Sequence, residues 1–253
     1  KILITVKAYP NPSQKYQEVV CVAGLSLEDK RWIRLYPIPF RDLDSDKKFK
    51  KYSLIQAQVM KSKDDHRPES YKINLDSIKI LDFYDTKNQW QKRKEVIIPQ
   101  ADNSMCQILE ESKKAGKSLG LFKPRDIEFH WEEIKSQNNK SKEHYYAQLS
   151  FFNPPKKAIE KIPFEFRYRF FCQNENQCPG HNYPIVDWEL GQAYRSWKNK
   201  YRDTNLLIQK LKEKWLNDIC SKDTYFYIGN MKRFRENFLI LGVFYPPLEH
   251  IKI

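Results

Sequence analysis

The first hundred residues carry the short apolar runs and two-residue alternation of β-strands. Residues 2–6 (Ile-Leu-Ile-Thr-Val) open the chain as a strand. Residues 18–25 (Glu-Val-Val-Cys-Val-Ala-Gly-Leu) form an apolar run of the buried type. Residues 31–36 (Arg-Trp-Ile-Arg-Leu-Tyr) alternate basic and apolar positions, and 53–60 and 78–83 supply two further strands. Pro37 and Pro39 predict a rigid corner after the third strand. Short strands at this spacing point to a small barrel rather than a parallel α/β sheet.

The period then changes. Residues 102–116 predict a helix, capped by Asp102 or Asn103, with Met105, Ile108 and Leu109 on one face and Gly116 closing it. Extended structure resumes at Ser118–Pro124 and continues as strands over 126–134 and 144–152, split by a polar turn at 135–143, and over 162–171. Residues 187–220 read as helix with a break near Asp203. There Leu207, Ile208, Leu211, Trp215 and Ile219 recur at helical spacing, the pattern of a core-facing stripe. Strands at 224–229 and 237–245 close the chain around a basic connection, Asn230–Arg235. The expected fold is therefore a β-rich α+β one: two small OB- or SH3-like barrel units followed by an α/β C-terminal region. Residues 1–100 make the first barrel unit, 101–160 the connecting helix and second β unit, and 161–253 the C-terminal region with a Cys/His turn.

Three stretches carry a resemblance. Val20-Cys21-Val22-Ala23-Gly24-Leu25 followed by Trp32-Ile33-Arg34-Leu35 resembles the opening of the bacterial dual OB-containing domains, and Ser118-Leu119-Gly120 with Lys123-Pro124 is similar to the start of their second half. Residues 227–230 (Tyr-Ile-Gly-Asn) and 238–247 resemble uncharacterised bacterial proteins of mobile and defence loci. The resemblance implies two stacked small β-barrels and a role with nucleic acid or nucleotides, in an antiviral setting.

Charge sharpens the functional reading. The net charge of +13 favours polyanionic partners, DNA or RNA above all; a lysine-rich but merely solvated surface is the competing explanation. No apolar run approaches the length of a membrane span, and residues 1–7 lack a cleavage site. Five irregularly spaced cysteines suit a reducing compartment, so a cytoplasmic location is expected.

Candidate chemistry concentrates in one stretch. Cys172, Cys178 and His181 flank a Pro-Gly turn and are donors of the kind zinc takes. The nearest later residues able to complete the set are Cys220 and His250; the alternative is two unlinked thiols beside a locally bonded histidine. His181, Asp187 and Glu189 form a second constellation. It is either an N-terminal helix cap or an acid–base centre that hydrolyses nucleic acid, as a glycosylase or a nuclease would. A nuclease needs additional groups, for which Glu165 and Lys198 are available. For binding, cations interleave with aromatics: Arg167, Arg169, Arg195, Lys198, Lys232, Arg233 and Arg235 for phosphate, and Tyr168, Trp188 and Trp197 for base stacking. In the strand around 164–171, taken alone, the aromatics are expected in the core with the arginines solvated. Arg67 is expected either to hold a phosphate or to pair with Asp64 or Asp65. Nucleic-acid binding is the primary expectation, hydrolysis of nucleic acid the second, and a protein–protein module of a larger complex the third.

Overall fold

The structure, a computed structural model, describes residues 1–8, 11–13, 17–134 and 162–248. The strand expected at 144–152, the turn at 135–143 and His250 lie outside the described residues. The chain is a β-rich α+β protein in which a curled half-barrel sheet is joined by two smaller sheets.

The half-barrel comes from the first hundred residues. Its strands are β1 (Ile2–Lys7), β2 (Asn11–Ser13), β3 (Gln17–Ser26), β4 (Arg31–Ile38), β5 (Ser53–Gln56), β6 (Val59–Lys61), β7 (Ser70–Ile73) and β8 (Lys79–Phe83). They lie in the order β6-β7-β4-β3-β1-β5-β8, with β2 paired to β3. Strand β4 runs on through Pro37 to Ile38, so the chain turns at Pro39, which leads into a 3-10 turn. The stretch read as one strand at 53–60 is two, β5 and β6, which pair with different neighbours.

Helix α1 (Lys87–Ile97) was not visible in the hydrophobic pattern: its polar residues dominate, and its first turn is left-handed at Asn88, Gln89 and Trp90. Helix α2 (Met105–Ala115) matches the expected span, but its cap is Ser104, whose hydroxyl accepts from the Gln107 amide. Asp102 instead accepts from the Leu121 amide and pairs with Lys117. Gly116 closes the helix at φ +74°, the left-handed conformation glycine adopts without cost.

The strands after α2 are completed by the chain's last third. Strand β9 (Leu119–Phe122) pairs with β13 (Tyr225–Asn230), which pairs with β14 (Phe238–Phe244). Strand β10 (Pro124–Glu133) pairs with β11 (Phe164–Cys172), and β11 with β12 (His181–Pro184). The long helix expected at 187–220 breaks near Asp203, as anticipated. Helix α3 (Trp188–Trp197) is capped by Asp187, and α4 (Thr204–Lys212) by Asp203, before a widened π turn at Glu213–Asp218. The stripe Leu207, Ile208, Leu211, Trp215 and Ile219 is buried core.

A buried polar seam joins the halves. Arg34 on β4 donates to the Ser118 hydroxyl and carbonyl at 2.6 and 2.8 Å, while Glu69 accepts from the Ser118 amide. Arg67 pairs with Asp65 at 2.6 Å and donates to the Asn230 carbonyl on β13. Arg67 thus follows the pairing alternative, with Asp65 as its partner. One apolar cluster also crosses the seam, with Leu3, Val6 and Tyr52 meeting Leu121, Tyr227 and Phe244. Among the described residues no helix is long and apolar enough to cross a membrane.

Candidate metal centre and interface cavity

Strand β11 ends on Cys172, a turn follows, and His181 begins β12, so the hairpin brings Cys172, Cys178 and His181 together. Gly180, at φ +82°, allows the return. The fourth donor is Cys106, from the first turn of α2. The four donor atoms all lie within 4.8 Å of one another. Cys106 Sγ is 3.9 Å from Cys172 Sγ, and His181 Nε2 is 3.5, 3.4 and 3.3 Å from the sulfurs of Cys106, Cys172 and Cys178. Metal bonds of about 2.3 Å to sulfur and about 2.0 Å to nitrogen give a tetrahedron with edges of about 3.8 and 3.5 Å. The four separations given lie close to those edges. The residues fit a tetrahedral metal ion in a Cys3His site.

The site's electrostatics suit a cation. Burial pushes the Cys106 thiol up to about 12 and raises Cys172, so without a metal these two stay protonated. Cys178 goes the other way: burial opposes its ionisation, but the amides of Cys172 and Gly180 stabilise its thiolate. Burial also lowers His181, favouring the neutral imidazole that a metal binds. Among the described residues the set is completed by Cys106 and not by Cys220. Cys220 packs beside the Tyr168 hydroxyl and the Trp215 carbonyl instead. The fourth donor lies 66 residues upstream of Cys172, outside any local spacing.

His181 is accordingly not part of a centre with Asp187 and Glu189. Those two line a separate cavity of about 370 Å³ at the junction of the half-barrel and the C-terminal region. From the first half come Lys7 on β1, Lys50, Lys51 and Tyr52 before β5, and Trp90 and Arg93 on α1. From the second come Asp187, Trp188 and Glu189 at the start of α3, and Tyr245 after β14. The cap reading of Asp187 holds: its Oδ1 accepts from the Glu189 amide at 2.8 Å. Its Oδ2, facing the Gly242–Val243 backbone, is buried without a formed hydrogen bond.

The two carboxylates differ in their hold on a proton. Burial raises Asp187 to about 6, with Lys51 opposing and Glu189 assisting. Glu189 is lowered, chiefly by Lys51, whose Nζ is 3.0 Å from its Oε2. Burial alone would lower the Lys51 ammonium, but Glu189, Tyr52 and Asp187 outweigh it and hold the lysine charged. Lys51 also donates to the Val243 carbonyl at 3.1 Å, so it ties the halves together beneath the cavity.

Aromatic rings enclose the cations. The Arg93 guanidinium lies 3.8 Å from the centre of the Tyr52 ring and 4.7 Å from that of Trp90, and its Nε donates to the Tyr84 carbonyl. Among the described residues no carboxylate lies within ion-pair distance of Arg93. Lys7 sits over Phe40 and Trp188 at 4.4 and 5.3 Å. Tyr52 at φ +68° and Asn88, Gln89 and Trp90 at +49°, +54° and +63° are left-handed non-glycine residues, and two of them line the cavity. Such backbone costs roughly 1–2 kcal/mol per residue and gathers where a site is held in shape.

The remaining expected residues are dispersed. Tyr168 is fully buried, stacked 4.9 Å from Phe226 with its hydroxyl on the Trp215 carbonyl. It is therefore core and not a stacking surface, because the alternation of β11 turns Phe166, Tyr168 and Phe170 inward and Glu165, Arg167 and Arg169 outward. Arg167 bonds Glu165 and Asn182. Trp197 packs on Trp215 and Tyr201 in the C-terminal core, and Arg195 bonds Gln192 on its own helix. Lys198 is half-buried at the end of α3. Lys232, Arg233 and Arg235 are exposed between β13 and β14. Only Trp188 of the proposed stacking residues lines the cavity, and neither Glu165 nor Lys198 does. The lysine that meets Glu189 is Lys51, which is 138 residues away in sequence. No local pattern joins them. The left-handed turn that aims Trp90 is likewise silent in the sequence.

No curated protein and no solved structure matches the chain. Residues 1–99 match the domain of unknown function DUF8758. Residues 100–252, well over half of the chain and the part that holds the four metal-type donors together with Asp187 and Glu189, match the domain of unknown function DUF8757, and the chain belongs to that family.

Proposed function

We propose that this chain is a nucleic-acid-binding protein whose C-terminal half is ordered by zinc. The observation that carries the reading is the junction cavity, where cations from the first half meet aromatic rings from both. Phosphates require Lys or Arg, and unstacked bases require a π-face. The net charge of +13 supplies the long-range attraction, and the exposed Lys232, Arg233 and Arg235 extend it. Zinc is the metal that three sulfurs and one imidazole at tetrahedral spacing favour, and with all four positions taken by protein its role is structural. The setting of a bacterial antiviral system rests on the resemblance of residues 227–247 alone.

The first test uses one purified sample. Elemental analysis is expected to find about one zinc per chain, and Cys106→Ser to lose most of it. Labelled single- and double-stranded DNA and RNA are expected to bind with an affinity that falls at least about tenfold between low and physiological salt. Zinc-free protein that melts like the metal-loaded form would remove the metal from this reading. Absence of binding even at low salt would remove the nucleic acid and leave a protein partner for the basic surface.

Hydrolysis of nucleic acid is the second reading, and one observation favours it: Asp187 and Glu189, two residues apart, have their proton affinities pushed in opposite directions. Such a split is how one site provides an acid and a base. The centre is then Asp187, Glu189 and Lys51, without His181. On that reading Asp187→Asn abolishes turnover of labelled DNA or RNA and leaves binding in place.

A further inference from the structure

We infer that the junction cavity is a pocket for a single nucleotide turned out of its strand, and that Glu189 selects bases bearing an exocyclic amino group. The inference rests on the nucleic-acid reading for its source of nucleotide, but the chemistry of the pocket stands on its own geometry.

The volume of about 370 Å³ lies in the range of small-molecule sites and is far too small for a duplex. Trp90 and Tyr245 pack at 5.0 Å and 58° on one wall, and Trp188 stands on the α3 side, packed on Phe40 at 5.9 Å. All three rings are half-buried. A planar base is the ligand that such rings accept, and extrusion into a pocket is how proteins reach one base of a strand. Cations supply the phosphate side. Lys51 is taken by Glu189, but Lys7 and Arg93 are held on aromatic faces rather than by carboxylates, and Lys50 is exposed at the rim.

Glu189 is the polar reader. Its side chain is 49% exposed, and Lys51 holds Oε2 at 3.0 Å. No hydrogen bond from a described residue reaches Oε1. Lys51 keeps the carboxylate ionised, so it accepts hydrogen bonds and donates none. Adenine, cytosine and guanine present an amino group to such an acceptor, and guanine adds a ring N–H beside it. Uracil and thymine place carbonyl oxygens on either side of their one ring N–H, and these repel a carboxylate.

The experiment is titration calorimetry of the full chain with GMP, AMP, CMP and UMP, for wild type, Glu189→Gln and Lys50→Ala, beside the strand-binding series. Thermal melts verify that each variant is folded. Wild type is expected to bind the amino-bearing nucleotides at least about fivefold more tightly than UMP, the low end of the discrimination one well-placed base contact provides. Glu189→Gln, which can donate as well as accept, is expected to erase that ratio, and Lys50→Ala to weaken all four about equally. A folded Glu189→Gln protein with the ratio unchanged overturns the assignment of Glu189. No saturable nucleotide binding at millimolar concentration overturns the pocket, even where strands bind, and the nucleic-acid reading then survives alone. Nucleotides that bind where strands do not keep the pocket and overturn the strand as its source.

Discussion

At Asp187 two requirements meet in one side chain. One oxygen caps α3, which asks for an acceptor, and the other is buried without a formed bond, which penalises charge. The outcome is a carboxyl that titrates near 6 in the folded protein against an ordinary value of 3.8. Between those values the folded state keeps a proton that the unfolded chain has released. Stability from this group is therefore full below about pH 4 and is lost as the pH rises through about 6. Asparagine preserves the capping acceptor and cannot titrate. Relative to Asp187→Asn, wild type is expected to lose stability steadily from pH 4 to pH 7, as read from urea midpoints at several pH values. A constant difference across that range would show that the carboxyl is not destabilised by its surroundings. Glu189 works in the opposite sense: held ionised by Lys51, it contributes above its ordinary value of 4.5 and loses that contribution as pH falls.

Elements in this fold are positioned by close approaches as much as by pattern. Strand β9 lies against α2 so tightly that a Cβ at Gly120 would stand 2.7 Å from both Asp102 Oδ2 and Ile108 Cδ1. Asp102 cannot yield easily, since it holds the Leu121 amide and Lys117. Gly120→Ala is therefore expected to cost about 1–3 kcal/mol, measured by denaturant unfolding; an unchanged midpoint would show that α2 can shift away. The same helix carries Cys106 toward the β11–β12 hairpin, so its placement matters to the Cys3His cluster as well. Much of this level was legible in advance. Strands β1, β3, β4 and β8, the β5–β6 stretch, α2, the break near Asp203 and the α4 stripe follow from apolar runs and periodicity, whereas the short β2 and β7 do not. Helix α1 escaped because its polar residues leave little apolar stripe and its first turn is left-handed.

On the scale of the whole molecule, the half-barrel and the C-terminal region share a core and a polar seam. Leu3, Val6 and Tyr52 pack with Leu121, Tyr227 and Phe244, and the Arg67–Asp65 pair, its side chains 7% and 9% exposed, is satisfied by Asn230 from the other half. A buried pair of this kind is destabilising when its partner is removed. Residues 1–99 on their own would leave the shared apolar face and Arg67 without their partners. Calorimetry of the full chain is expected to show one transition, and residues 1–99 alone no cooperative one. Two separate transitions in the full chain would mean that the seam contributes little. The junction cavity depends on the same contact, since its walls come from both sides.

The sequence by itself determined the β-rich α+β class, most of the strands, the buried stripe of α4 and the gathering of Cys172, Cys178 and His181 around one turn. These are local properties, written in periodicity and in short spacings that survive whatever the rest of the chain does. The tertiary structure alone decided the fourth metal-type donor, the pairing of Lys51 with Glu189 and the separation of His181 from Asp187. Each of these depends on which distant segments meet. Cys106 reaches the hairpin only because α2 docks beside β9, and Lys51 reaches Glu189 only because the half-barrel closes onto α3. Chain separation erases such partners from any local pattern, and packing restores them.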